Sequence, residues 1–536
     1  MNVLRKTLLL SLTSLLVISM LGCATQAHRV MGIDKHVPKI SDGVFLLLIS
    51  NSQDSVKYNT LTLVKNTNEP PRFGYKNEYS VTAVPVPGGS NVQMFTGILE
   101  PGEYKLSSLS LHVGNARYWL QFGDKSKHTF DIESGAISDL GRIVKTIKKG
   151  NSWAGSSMAF RAPNEPDVFS YIEMAMPDVA KSLLASHAKI VPGWKEDADM
   201  VEKLWLSIAK ITASDFNHPI TDHSGTIIAG LRMGQVLKRY NDGTWKMVDT
   251  KSNHTIQAVA ELPGDKMFVG GEMNKYFIVD EKNNVLEYSS DGLPYGRIVY
   301  ANYFEGSGLI IAIVNSKGIN IYSNQHQVGS QWELIDTIDS TYSLWGELAK
   351  LNVVGDGERI YFSRDDDLFV YHVASKEWNA NDLPFNTISM AVNGRTIVAK
   401  GSYFLEKRSY ISEDYGVSWK ITNTRSSDSM INVLPSGESF VFSNDSGGMV
   451  KFSSDFGSTW YEHSVLDKTN GSFGSLENVK TYPLDDDKLI LVDKLSAEDG
   501  SSRIGIYNTK TKQYTVERHV TVPMVLNYYK SRSRNN

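Results

Sequence analysis

The chain has 536 residues, 41% of them hydrophobic and 21% charged, and this balance supports buried cores while excluding disordered, collagen-like and disulfide-stapled classes. Its length predicts two or three domains. Lys+Arg 55 against Asp+Glu 59 gives a formal charge of −4, so no basic excess exists to hold nucleic acid, and the single Cys makes neither an intrachain disulfide nor a Cys-based zinc site.

In chain order, Arg5 and Lys6 form a basic start, and 8–21 is an apolar run interrupted only by Ser and Thr. This predicts a secretory signal over 1–22, too short for the roughly 20 apolar residues of a membrane span. Met20-Leu21-Gly22-Cys23 resembles the lipobox of bacterial lipoproteins, with a small residue before the cysteine, and departs from the commonest pattern at Met20 and Leu21. The resemblance implies cleavage after Gly22, a diacylglyceryl group on the Cys23 thiol and acylation of the new amine. Two or more chains suffice for stable anchoring. Ala24 stands where an inner-membrane retention signal carries Asp, so the resemblance implies the outer membrane.

Residues 23–41 read as the lipidated cysteine and a tether, and 42–148 as a β-sandwich. The β runs there are Val44-Phe45-Leu46-Leu47-Leu48-Ile49, Thr60-Leu61-Thr62-Leu63-Val64 and Tyr79-Ser80-Val81-Thr82-Ala83-Val84. Pro87-Gly88-Gly89 and Glu100-Pro101-Gly102-Glu103 punctuate them as turns. The stretch from Leu99 to Tyr104 resembles an L-x-P-G-x-Y hairpin of small sandwich modules in bacterial lipoproteins and surface proteins. Residues 149–202 read as a connector, with a short amphipathic helix over 177–187 that Pro177 and Asp178 begin.

From 203 to 520 the chain repeats short β runs, Gly/Asp-rich turns and an aromatic. Trp245, Tyr288, Trp332, Trp378, Trp419, Trp460 and Tyr514 recur at intervals of 43, 44, 46, 41, 41 and 54 residues. A four-stranded unit cannot cover its own two faces, and radial packing buries both, so the period predicts a β-propeller of roughly seven blades. The fold class is therefore mainly β, with a sandwich, a short helical connector and a propeller, followed by a basic tail over 521–536.

Ser412, Asp414, Gly416 and Trp419, and again Ser453, Asp455, Gly457 and Trp460, match S-x-D-x-G-x-[ST]-W, and this pattern resembles the Asp-box or BNR repeat of sialidase-like propellers. Asn241-Asp242-Gly243-Thr244-Trp245 and Ser289-Ser290-Asp291-Gly292 resemble degenerate copies. In such a turn the Asp and Ser side chains take backbone hydrogen bonds, Gly supplies φ > 0 and Trp packs inward, so the Asp is structural and no catalytic residue is assigned.

Asp-boxes occur in sialidases, other glycoside-active propellers, sortilin-type receptors and photosystem assembly factors, so the resemblance specifies fold before function. It implies a noncatalytic binding or assembly scaffold, anchored to the membrane through Cys23, with an envelope protein or glycan as partner. The alternative is a sialidase-like glycoside hydrolase or glycan-binding protein. Phe160-Arg161-Ala162-Pro163 resembles the F/Y-R-I-P motif that places a carboxylate-clamping arginine, departs from it at Ala162, and lies some 40 residues before the repeats. Arg232, Arg239, Arg297, Arg359, Arg395 and Arg408 are the further clamp candidates. The acidic turns Asp365-Asp366-Asp367 and Asp485-Asp486-Asp487 lack the alternating ligands of a calcium loop, and His218 with His223 does not follow H-E-x-x-H, so no metal or other cofactor is expected.

Overall fold

The computed structural model describes residues 28–525 with interruptions, the longest being 68–76, 340–350, 465–478 and 494–501. The signal segment, Cys23 and residues 526–536 of the tail lie outside the described residues. Among the described residues no helix is long and apolar enough to cross a membrane.

The first unit is a pair of facing sheets. Strand Gly43–Asn51 is the centre of a five-stranded sheet, between Val92–Leu99 and Ala136–Lys149, and Ser156–Ala162 and Lys189–Pro192 pair with Ala136–Lys149. The six-stranded sheet holds His28–Arg29, Thr60–Lys65, Glu78–Thr82, Gly102–Val113, Ala116–Gln121 and Thr129–Ile132. Every residue of Gly43–Asn51 is buried, as an uninterrupted apolar run predicts for a strand covered on both faces. Phe45, Leu47 and Ile49 join Leu61, Leu63, Tyr104, Leu106 and Leu109 between the sheets. Val44, Leu46 and Leu48 pack on the other side against helices α1 (Phe169–Ala175) and α2 (Pro177–Ser186). Fully burying such a side chain contributes about 1.5–3 kcal/mol.

Three expectations are corrected here. The L-x-P-G-x-Y segment is a corner, not a hairpin, because Val92–Leu99 belongs to one sheet and Gly102–Val113 to the other. Gly102 turns the chain at φ 146°, and Tyr104 is buried with its hydroxyl donating to Glu100 O at 2.8 Å. The stretch read as a connector supplies sheet, since Ser156–Ala162 continues the five-stranded sheet by pairing with Ala136–Lys149. The start of the first repeat unit is instead helix α3 (Met200–Ile211): Asp199 and Glu202 form a reciprocal capping box, and Trp205, Ile208 and Ala209 share its buried face.

Among the described residues, seven four-stranded antiparallel sheets follow, each a simple meander of consecutive strands, over 217–249, 256–288, 297–339, 351–382, 386–421, 432–464 and 479–520. The first strands of successive blades lie side by side. The recurring aromatics all fall in or next to a fourth strand, which is why their period marked the blades.

Among the described residues no strand is shared between the first and seventh sheets where the ring closes. Phe216, Ile227, Ala229, Leu231 and Leu237 of the first blade and its approach pack against Ile490, Val492, Ile504 and Ile506 of the seventh. Arg239 forks onto Glu517 at 2.7 and 2.6 Å, and Trp245 Nε1 donates to the same carboxylate at 2.9 Å. Phe216 lies between the rings of Trp245 and Tyr482, and Tyr482 donates to Phe216 O at 2.7 Å.

Candidate functional site

In an antiparallel meander the turns between strands one and two and between strands three and four share one end of the blade, and the remaining connections share the other. Both S-x-D-x-G-x-[ST]-W segments lie between third and fourth strands. Ser412 Oγ donates to Asp414 at 2.8 Å and accepts from Gly416 N at 2.8 Å, while Asp414 accepts from Ser418 N at 2.8 Å and from its hydroxyl at 2.5 Å. Trp419 Nε1 donates to Gly416 O at 3.1 Å. Ser453, Asp455, Gly457, Thr459 and Trp460 repeat the same set bond for bond. For Asp414, burial would raise the pKa, and the bonds from Ser418 and Ser412 override it, leaving it lowered. Asp455 is held down at about 2 by Thr459 and Ser453. Both carboxylates are thus fixed as acceptors inside their own turns.

The turns also join neighbouring blades. Tyr415 and Phe456 occupy the left-handed region at φ 60° and 54°. Within the fifth blade Tyr415 N donates to Arg395 O at 3.1 Å, and across the boundary the Arg359 guanidinium of the fourth blade lies 3.9 Å over the Tyr415 ring. Phe456 packs with Val398 and Ile411 of the fifth blade. Of the degenerate copies, Asp242 caps the equivalent turn of the first blade by accepting from Thr244. The described residues 290–292 of the other copy follow the fourth strand Val285–Tyr288 and so lie at the other end of its blade, because the second blade makes its outer turn with Asp280 and Asn284 instead.

Arg161 lies outside the propeller, on strand Ser156–Ala162. It forks onto Glu202 at 2.9 and 2.7 Å, donates to Glu196 O and Asp197 O, and lies over the Trp194 ring. For Glu202, burial works to raise the pKa and the bonds from Arg161 more than offset it. The pair fixes α3 to the sheet. The other clamp candidates do not converge with it: Arg239 pairs with Glu517, Arg359 with Asp356, and Arg408 with Glu406.

Arg232 and Arg297 do meet the sandwich, in a buried polar junction that sequence patterns did not mark. Glu272 and Met273 connect the second and third strands of the second blade. Met273 enters the core beneath α1 and α2, and Glu272 lies 3.6 Å from Arg142 of the five-stranded sheet. Tyr171 of α1 bridges them, accepting from Arg142 at 2.5 Å and donating to Glu272 at 3.1 Å. Burial lowers Arg297 to about 10, against the opposing charge of Glu272. In the first blade the equivalent connection carries Arg232, which donates to Asn51 O at 3.5 Å and lies 3.5 Å from Asp215. Lys145 lies 4.5 Å over the Tyr58 ring, and burial, with the charge of Arg232, lowers it to about 7. The sandwich therefore docks on the end of the blades opposite the two S-x-D-x-G turns.

Beside this junction is the seam between the first and seventh blades. His218 sits at φ 35° where the first strand breaks register, open to solvent yet ringed by protein. Lys480 donates to Asp215 at 2.8 Å, Phe216 O at 3.3 Å and Asn217 at 3.4 Å. His223 instead pairs with Glu261 at an exposed turn, so the two histidines do not converge. Among the described residues no group of three His, Cys, Asp or Glu side chains is placed to hold a metal ion. Asp367 pairs with Arg364, Asp485 with Lys488, and Asp487 with Lys510.

No family model and no curated protein matches the chain. Among solved structures it is similar to YCF48 bound to a D1 peptide, at 14% identity and a TM-score of 0.37, over 53% of this chain and 94% of that one. It is similar to the GH74 xyloglucanase from Xanthomonas campestris at 12% identity and a TM-score of 0.42, over 57% of this chain and 55% of the enzyme. A puromycin-hydrolyzing peptidase of Mycobacterium tuberculosis gives 8% identity and a TM-score of 0.41, over 58% of this chain and 54% of that one. The match thus spans about half the length of each of the last two proteins, and these likenesses concern the fold.

Proposed function

We propose that the chain is an outer-membrane lipoprotein, anchored through Cys23, whose Asp-box propeller is a noncatalytic binding or assembly scaffold for an envelope protein or glycan. The observation that carries this reading is the buried junction of Arg142, Tyr171 and Glu272, which fixes the sandwich to one end of the blades. The opposite end, with its turns tied by internal hydrogen bonds, is then a rigid presentation surface on which loops vary at little cost to the core. The glycosidase alternative loses its strongest residue, since Arg161 is engaged by Glu202, Glu196 and Asp197.

Two measurements test the reading. Labelled palmitate should enter the wild-type protein and not Cys23→Ala, and equal labelling of both would refute the anchor. A soluble form lacking residues 1–23, incubated with fluorogenic glycosides including sialosides, should give no turnover. Robust hydrolysis abolished by Arg161→Ala without unfolding would replace the scaffold with the hydrolase.

A further inference from the structure

Six of the seven blade-to-blade boundaries are spanned by the chain itself, as each fourth strand leads to the next first strand. The seventh, between 217–249 and 479–520, has no covalent connection of that kind. At this seam a further core crosses from one blade to the other by way of the amino-terminal unit. Val144 and Phe160 of the five-stranded sheet and Trp205, Ile208 and Ala209 of α3 pack with Met233 of the first blade and with Val520 and Val525 at the end of the seventh.

Polar contacts follow the same path. Lys210 of α3 donates to Asp249, the last residue of the first blade's fourth strand, and to Ser252 O just beyond it, both at 3.0 Å. From the seventh blade, Arg518 donates to Ile211 O at 3.4 Å. Ser214 N donates to Ser52 O, and Arg232 N donates to Ser214 O, so the approach to the first blade is hydrogen-bonded to both the sandwich and the blade. Asp215, directly after, takes the Lys480 bond from the seventh blade.

We propose that the sandwich with α3 is a clasp that holds the propeller's seam shut, so that displacing it loosens the first and seventh blades together where Asp215 meets Lys480. A local opening of this kind is a sub-global unfolding step, cheapest where chain connectivity contributes least. The seam is that place. The clasp makes occupancy of the sandwich face and the state of the seam one linked equilibrium, since whatever binds only the displaced sandwich also favours the open seam.

Amide hydrogen exchange on the full chain tests this. Trp205→Ala removes the largest apolar side chain of α3 in the bridging core and leaves the core that the first and seventh blades share unsubstituted. Exchange should rise about ten-fold or more in Asn217–Thr221, Val479–Asp485 and Gln513–Val520, and stay within about two-fold of wild type in Gly308–Asn315 of the third blade. A seam as protected as in wild type, or a rise equal in all seven blades, would overturn the clasp. If Trp205→Ala does not fold, Val525→Ser makes the same test from the other side of the core, with the same two outcomes.

Discussion

Arg161 and Glu202 form a buried forked ion pair, with Nη2 2.7 Å from Oε2 and Nε 2.9 Å from Oε1. Breaking such a pair leaves a charge without its partner in the interior, which costs about 3–5 kcal/mol. Arg161→Met should therefore lower the denaturant midpoint sharply. Arg161→Met combined with Glu202→Leu should recover much of the loss, a recovery that an active-site role for Arg161 does not predict.

Gly416 and Gly457 stand at φ 87° and 82°, and a Cβ at Gly416 would meet Leu368 Cδ2 at 2.4 Å. Both the backbone preference and the clash oppose a side chain. Gly416→Ala and Gly457→Ala should each destabilise by about 1–3 kcal/mol in urea unfolding. Gly264→Ala is a useful contrast, because its φ is 77° with open space around it, so only the backbone penalty applies.

Asp455 is held at about 2 by Thr459 and Ser453, below its ordinary value of 3.8. A carboxylate depressed in the folded state contributes stability that is present above the unfolded pKa and is lost as pH falls toward the folded one. Asp455→Asn should thus flatten stability between about pH 4 and 2 and leave the slope above pH 5 unchanged, as measured by thermal melts across that range.

Lys145 has the opposite sign. Buried beside Arg232, it titrates at about 7 against an ordinary 10.5, so the unfolded chain binds more protons between those values. The penalty for burying the charge is complete below pH 7 and is relieved as pH rises to 10.5, with a slope of at most about 1.4 kcal/mol per pH unit. Lys145→Met should remove that slope and raise the melting temperature at neutral pH. An unchanged pH profile would show that Lys145 is not the group responsible.

Tyr171 links the sandwich to the second blade by bonding both Arg142 and Glu272. Tyr171→Phe keeps the ring and deletes the bridge, leaving two buried charged groups short of a partner. It should cost about 1–3 kcal/mol, while Tyr79→Phe, half-buried against the sandwich core, should change stability by less than about 1 kcal/mol.

The order of blades was legible in the sequence because a blade is a local object. Its strands are consecutive, its turns need Asp, Gly and Ser at fixed offsets, and its fourth strand carries an aromatic such as Trp378 or Tyr514 whose period survives when the turn motif does not. The bonds within 412–419 and 453–460 follow from the same local spacing. Legibility failed where a segment's partner is distant in the chain. The pattern around 289–292 copies the turn residues without its position, and only the strand ends show this.

What the sequence by itself determined is thus the repeating β unit, the helix at Pro177–Ser186, and the residue types that build its outer turns, all set by interactions within about ten residues. What only the tertiary structure decided is the junction and the seam. Arg142 meets Glu272 and Arg239 meets Glu517 across 130 and 278 positions, and no periodicity connects residues so far apart. Their pairing exists because ring closure and sandwich docking bury charged groups that each need a partner, and only the folded chain brings those partners within reach.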